Sequence, residues 1–353
     1  MSFGMVIFRG GEREFFFQQV VSAAHFRGEA ESTWKNLQEG LSCTQYAEEE
    51  GFSVDAEELQ KASELFRYRN ELITAQETER WLEERNLSVE DFSNYLERNH
   101  WHSRFASNLP DICSEYPPSP KAVEDALWAE LILEGRFKAF TLPLAQRVAA
   151  KIESPDFTVP REGVETEREL FFRRAAISSG ELERWLTRFR CPRKWFEEMV
   201  EMDALYQRMG GAILSPERCH SELQAQHLPL TRIEAEGIFF PSWEAAREAF
   251  LCLTEDREGL AEVGRRSGSP VTFSSKFIRD LSEETQQAFF SASPGEILPP
   301  VEQGGNVWIF RVRQKIKPSL EDPDIRILIG EKARQGFFQS LVDKHIHWIF
   351  SPE

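Results

Sequence analysis

The sequence predicts an α+β fold in which two helical modules precede a smaller domain of mixed strands and helices and a closing helix. Three observations carry that prediction. The stretch Ile73-Thr74-Ala75-Gln76-Glu77-Thr78-Glu79-Arg80-Trp81-Leu82 returns 104 positions later as Ile177-Ser178-Ser179-Gly180-Glu181-Leu182-Glu183-Arg184-Trp185-Leu186. Phe92 and Glu97 keep the same offset from Phe196 and Glu201, and a gapless offset favours duplication over chance. From Arg232 onward helical periodicity gives way to apolar runs of strand length, the clearest being Val307-Trp308-Ile309-Phe310-Arg311-Val312.

The first module, residues 1–107, reads as helical from about residue 12. Asp55 caps a helix through about Asn70, Thr74 with Glu77 forms a capping box, and Ser88 with Asp91 opens a further helix. One module is thus at least three short helices packed through Phe66, Trp81, Leu82, Phe92 and Leu96. The polar, proline-rich 108–120 reads as a linker. In the second module, residues 121–225, the break Ser154–Pro160 stands where the first has Gly51–Val54, and Ser178 with Glu181 repeats the capping box. Pro192, tolerated at a first helical position, falls where the first module has Ser88. Trp81 and Trp185 are expected to be buried anchors. The third domain, residues 228–317, opens with a strand over Arg232–Phe240 and a helix from Trp243 to about Val263. Extended pieces around Val271–Phe277 and Ile297–Val301 bracket a short helix, Ser282–Phe290, and the strand at 307–312 closes the domain. Residues 318–353 carry a final amphipathic helix, about Asp324 to Phe350, whose Ile325, Leu328, Ile329, Phe337, Leu341 and Trp348 are expected to dock on the helical modules.

Composition narrows the function classes. Of 353 residues 59 are acidic and 42 basic, a net charge of −17 that repels nucleic-acid phosphates and anionic lipid, so neither is an expected partner. There is no basic leader with an apolar core and no run of about 18 apolar residues, which leads us to expect a soluble cytoplasmic protein. Five scattered cysteines without a CxxC pair indicate reduced thiols. The pairs His100/His102 and His345/His347 fall in helical surroundings, where a two-residue step points them apart, so no metal site is expected. Gly10-Gly11 and Gly304-Gly305 are turn glycines without a phosphate-binding fingerprint, Glu48-Glu49-Glu50 is a solvated helix end, and no nucleophile with a matching base stands out. No cofactor is expected.

The run Ala288-Phe289-Phe290-Ser291-Ala292-Ser293-Pro294-Gly295-Glu296-Ile297-Leu298-Pro299-Pro300-Val301, followed by a glycine turn and Trp308-Ile309-Phe310-Arg311-Val312, resembles the end of a parvulin domain. The helical part, notably Tyr46 to Leu59, is similar to the N-terminal region of SurA/PpiC-type foldases, and the resemblance spans roughly residues 40 to 350. It implies SurA-N-like helical modules, duplicated here, and an α/β domain of parvulin-like (FKBP-like) fold. It also implies peptidyl-prolyl isomerase or chaperone activity on an unfolded or precursor peptide, with a peptide-modifying enzyme as a further partner.

Three positions depart from the family pattern. Gly237 stands where the first strand usually carries a histidine, Trp308 takes the place of the other, and Ser267-Gly268-Ser269-Pro270 has one glycine where two are usual. Easing a barrier of about 18–20 kcal/mol needs an apolar pocket and groups that favour a twisted amide, so activity is weakened without being excluded. No catalytic residue is assigned. Of the aromatic residues left, Phe239, Phe240, Phe273, Phe277, Phe290, Trp308 and Phe310, the set Trp308, Phe239, Phe277, Phe290 and Phe310 is expected to line a peptide groove. That groove should be dry and broader on the Gly237 side. The expected function is a peptide-binding, chaperone-like protein with a degenerate isomerase site; the alternative is an active isomerase, or a parvulin scaffold serving as an enzyme in peptide natural-product maturation.

Overall fold

A computed structural model describes residues 2–351. They fall into two compact units: unit 1 comprises residues 1–209 and 338–353, and unit 2 residues 210–337.

Unit 1 begins with a hairpin, β1 (Val6–Gly10) and β2 (Arg13–Phe16), where helix was expected from about residue 12. Ile7 and Phe8 of β1 and Phe15 of β2 are all buried, and β-branched and aromatic residues of this kind suit strands. Helices α1 (Phe17–Phe26), α2 (Glu31–Glu49), α3 (Ala56–Arg69), α4 (Ala75–Glu84) and α5 (Val89–Arg104) follow. The segment expected to be a linker holds α6 (Leu109–Glu115), tied down by buried Ile112 packed with Cys43, Ala47 and Trp101. Five more helices complete the series: α7 (Pro120–Leu133), α8 (Phe137–Glu153), α9 (Arg161–Arg174), α10 (Leu182–Arg188) and α11 (Arg193–Ala212).

α1 packs on α8 while α7 packs on α2, and α7 also meets α5. The capping boxes Thr74/Glu77, Ser88/Asp91 and Ser178/Glu181 all form, and Asn86 and Arg190, 104 positions apart, both adopt positive φ after α4 and α10. Phe66 meets Trp81 edge-on at 5.5 Å and Phe92 at 4.9 Å; Phe171 meets Trp185 edge-on at 5.0 Å and Phe196 at 4.9 Å. The two tryptophans are not equally buried. Trp185 is 8% exposed, while Trp81 is half-buried beneath the Arg85 guanidinium at 4.1 Å.

Unit 2 opens with α12 (Pro216–Ala225) and β3 (Arg232–Phe240). The helix expected to reach Val263 is broken into α13 (Trp243–Thr254) and α14 (Leu260–Arg266) by a turn in which Arg257 takes φ +56°. Then come β4 (Thr272–Phe277), α15 (Glu283–Ser291), β5 (Val301–Gln303) and β6 (Asn306–Ile316). The sheet is antiparallel in the order β4-β3-β6-β5. Gly304 and Gly305, at φ +61° and +78°, make the two-residue turn between Gln303 and Asn306, a conformation closed to most side chains. A register shift between Glu234 and Ala235 leaves Arg313 outside the β3–β6 pairing. One sheet face buries Ile238, Phe240, Val307 and Ile309 against α13 and α14. The other buries Ile233, Ala235, Phe310 and Val312 against Phe289, Leu298 and Val301.

The last helix, α16 (Pro323–His345), contributes its first part to unit 2, where Ile325 and Ile329 pack on Leu223 and Leu230. Its end belongs to unit 1, where Phe338, Leu341 and Val342 are buried. The helix stops at His345 instead of running to Phe350. Ile346–Trp348 forms β7, pairing with β1 so that Trp348 meets Phe8 edge-on at 5.4 Å. Strand pairing wins there because β1 otherwise has an open edge. Among the described residues no helix is long and apolar enough to cross a membrane.

Candidate functional site

In β3 the odd residues from Ile233 to Phe239 share one face with Trp308 and Phe310 of β6. The register sets Thr272, Ser274 and Lys276 of β4 beside Gly237, Ala235 and Ile233 on that same face. These strands, with Gln303 of β5 and with Leu281 and Phe289, enclose a pocket of about 150 Å³. An apolar cavity of about 150 Å³ accepts a ring the size of benzene.

The back wall is aromatic. Trp308 and Phe310 lie parallel, centroids 5.6 Å apart and planes 3° apart, and Phe239 leans on Trp308 at 5.2 Å. Phe289 meets Phe310 at 5.5 Å. A glycine at 237 permits this stack. A β-carbon there would stand 2.8 Å from Phe310 and 3.2 Å from the Trp308 indole, so the rings occupy the space a side chain would need. The expected broadening on the Gly237 side is absent, because neighbouring rings close on the gap.

Polar groups are few and partly engaged. The indole N–H of Trp308 donates to the Gln303 carbonyl at 3.2 Å, and the Thr272 hydroxyl donates to the Gly237 carbonyl at 3.1 Å. Ser274 and Lys276 have no side-chain hydrogen-bond partner among the described residues, and Lys276 is the one titratable group in the lining. The wall thus offers an apolar seat and two free donors at its β4 rim, with no histidine, carboxylate or thiol to move a proton. β4 is an edge strand whose other side pairs with nothing among the described residues.

Of the five expected groove residues, Trp308 and Phe310 line the pocket and Phe239 backs it. The other two lie elsewhere. Phe277 sits under the Arg232 and Arg279 guanidinium groups at 4.9 and 5.7 Å, against the Leu223, Leu230, Ile325 and Ile329 cluster. Phe290 faces solvent, 42% exposed, because one helical step turns it away from Phe289. Sequence reading missed Phe289, although Leu281, Thr285 and Phe289 recur every four residues, and Thr285 and Phe289 are buried. It also missed Thr272, Ser274 and Lys276. In β4 the polar residues face the pocket while Phe273, 62% exposed, faces away, the reverse of the usual strand pattern.

The histidine pairs diverge. His100 lies 3.7 Å from Glu58 and His102 3.3 Å from Glu39, on two sides of α5, while His345 ends α16 beside Glu153 and His347 stands in β7 rather than a helix. Among the described residues one group of metal-capable atoms lies close together, in Cys252, Asp256 and Glu258, all within 4.8 Å. Arg266 already holds the Glu258 carboxylate at 2.8 Å.

No family model matches the sequence, and no curated protein does. Among solved structures the chain is similar to the peptidylprolyl isomerase PrsA from Bacillus cereus, at 14% identity and a TM-score of 0.39, covering 61% of this chain and 84% of that one. It is similar to PrsA from Bacillus anthracis at 13% identity and a TM-score of 0.31, covering 57% and 96%. A SurA-like chaperone from Campylobacter jejuni matches at 10% identity and a TM-score of 0.21, covering 59% and 86%.

Proposed function

We propose that the chain is a peptide-binding, foldase- or chaperone-like protein whose pocket in unit 2 holds one aromatic or prolyl side chain of an unfolded or precursor polypeptide. The observation that carries this reading is the Trp308–Phe310 stack closed over Gly237. A prolyl isomerase must orient a carbonyl as its amide twists, and here the Trp308 donor is turned to Gln303 while no side chain exists at 237. The same walls suit holding a ring. An extended segment can pair with the free edge of β4 and place alternate side chains towards the pocket, a mode in which main-chain bonds give affinity and the pocket gives preference. Lys276 and Ser274 at the rim meet its backbone carbonyls.

In this reading helices α1–α5 and α7–α11 are two copies of one module, the site of action is cytoplasmic, and a peptide-modifying enzyme is the downstream partner of a bound precursor. The test is a pair of measurements on the full chain. Aromatic-rich, proline-containing peptides are titrated by fluorescence anisotropy, and exchange spectroscopy on the same peptides reads cis/trans interconversion. Saturable binding with interconversion near the uncatalysed rate supports the proposal. Interconversion accelerated to ordinary enzyme levels makes the protein an active isomerase and overturns it.

A further inference from the structure

β4 is inverted for a strand that borders an apolar pocket. Its polar residues Thr272, Ser274 and Lys276 point to the pocket, while Phe273 and Ser275 between them occupy the opposite face, where the Phe273 ring is 62% exposed. The outer edge of the strand is unpaired among the described residues. An exposed phenylalanine on a free edge is a template for another strand. A strand added there meets both faces at once, with alternate side chains falling on the pocket side.

The register sets how far such a side chain must reach. The Phe310 ring leans over Gly237 of β3, 2.8 Å from where a β-carbon would stand, and Gly237 lies beside Thr272. Neighbouring strands are about 4.8 Å apart, so a ring carried by the added strand crosses β4 alone to touch Phe310. Thr272 and Ser274 are small enough to let it pass. Ser274 is the middle and the least exposed of the three pocket-facing residues, which seats the incoming ring opposite it. Two residues further along β4 the rim is basic. Lys276, Ile233 and Lys315 form one cross-strand row. The Lys315 ammonium donates to the Phe290 carbonyl at 3.0 Å, whereas that of Lys276 is exposed and has no side-chain partner among the described residues.

We propose that the pocket selects an extended segment with an acidic side chain two residues before its aromatic one and an apolar side chain directly after it. This rests on the reading of unit 2 as a peptide site. The order follows from antiparallel addition, the arrangement of every strand pair in this sheet. With the ring opposite Ser274, the residue two places earlier falls opposite Lys276 and the residue after the ring falls opposite Phe273. Opposite charges, and an aromatic facing a β-branched side chain, are favourable pairs across a sheet. The net charge of −17 does not cancel the choice, since screening limits the reach of each exposed charge to about 8 Å at physiological salt.

The test is fluorescence anisotropy on the full chain with labelled peptides that hold one phenylalanine followed by valine, and Glu, Gln or Lys two residues before it. The Glu peptide is expected to bind about threefold tighter than the Gln peptide, as for a rim ion pair, with the ratio falling towards one in high salt. Lys276→Gln should erase the difference, and Lys276→Glu should reverse it in favour of the Lys peptide, a crossed pattern that loss of structure does not produce. Phe273→Ser should weaken all three peptides by about threefold. Equal binding of the Glu and Gln peptides to the parent overturns the proposal and leaves the pocket reading standing. A preference that survives Lys276→Gln, or one for glutamate placed two residues after the ring, also overturns it. Absence of any peptide binding overturns both readings.

Discussion

Phe310 and Trp308 lie parallel over the α-carbon of Gly237, the Phe310 ring 2.8 Å from where a β-carbon at 237 would stand. The two departures from the parvulin pattern are thus one structural event. Removing the side chain at 237 makes room for the rings, and the indole at 308 fills that room, so the pocket wall becomes continuous aromatic surface.

Gly237→Ala is expected to destabilise unit 2 by about 1–3 kcal/mol, the range for overpacking a tight interior. Gly237→His should do more damage, because an imidazole must displace both rings. Thermal unfolding followed by near-ultraviolet circular dichroism reads the effect. A Gly237→Ala protein as stable as the parent, with unchanged peptide affinity, would show that the rings yield freely.

Much of this wall was legible in the sequence, and the reason it was only partial is physical. Strand alternation places Trp308 and Phe310 on one face, and a missing side chain at 237 is visible as a letter. Whether that gap becomes open space or is filled depends on rotamers of neighbouring rings, which no periodicity encodes. Phe277 was misplaced for a similar reason. It sits on the strand end, where Arg232 and a helix distant in sequence cover it. In the helical unit, capping residues and the 104-residue offset foretold α4, α5, α10 and α11, but the conversion of 346–348 to a strand depends on β1, more than 330 residues earlier.

Trp185→Ala should cost about 3–5 kcal/mol, as expected for a large side chain removed from a core. Trp81→Ala should cost about half of that, because the indole is half-buried and its Arg85 contact is exposed to water. Denaturant titrations of both variants give the comparison. Equal losses would mean that the two tryptophans are equivalent in energy as well as in position.

His25 gives unit 1 a defined response to acid. It stacks on Phe189 at 3.9 Å, meets Trp34 edge-on at 4.6 Å, and burial, reinforced by Arg188, lowers its pKa from 6.5 to about 3. The unfolded chain takes up a proton at this histidine near its ordinary pKa while the folded chain does not. Stability is therefore fully present above about 6.5 and declines as pH falls through the window down to about 3. His25→Phe keeps the stack and removes the titration. The stability difference between parent and variant, measured by urea unfolding from pH 7 to pH 4, should shift steadily in favour of the variant. A constant difference across that range would contradict the assignment.

Trp308→Ala separates ring holding from amide chemistry at the pocket. The substitution removes the surface shared by Phe239 and Phe310 and releases the Gln303 carbonyl, so binding of aromatic-rich peptides should weaken by about tenfold. Trp308→His restores one of the two family histidines, yet Gly237 still offers no partner on the facing strand, where Phe239 rather than Gly237 is the residue paired with position 308. Isomerisation of a simple Xaa-Pro peptide should therefore stay within a few-fold of the uncatalysed rate in the parent and in both variants. Exchange spectroscopy measures all three. A large gain in Trp308→His would mean that a single histidine suffices and that the closed aromatic wall, rather than the missing pair, is what suppresses catalysis.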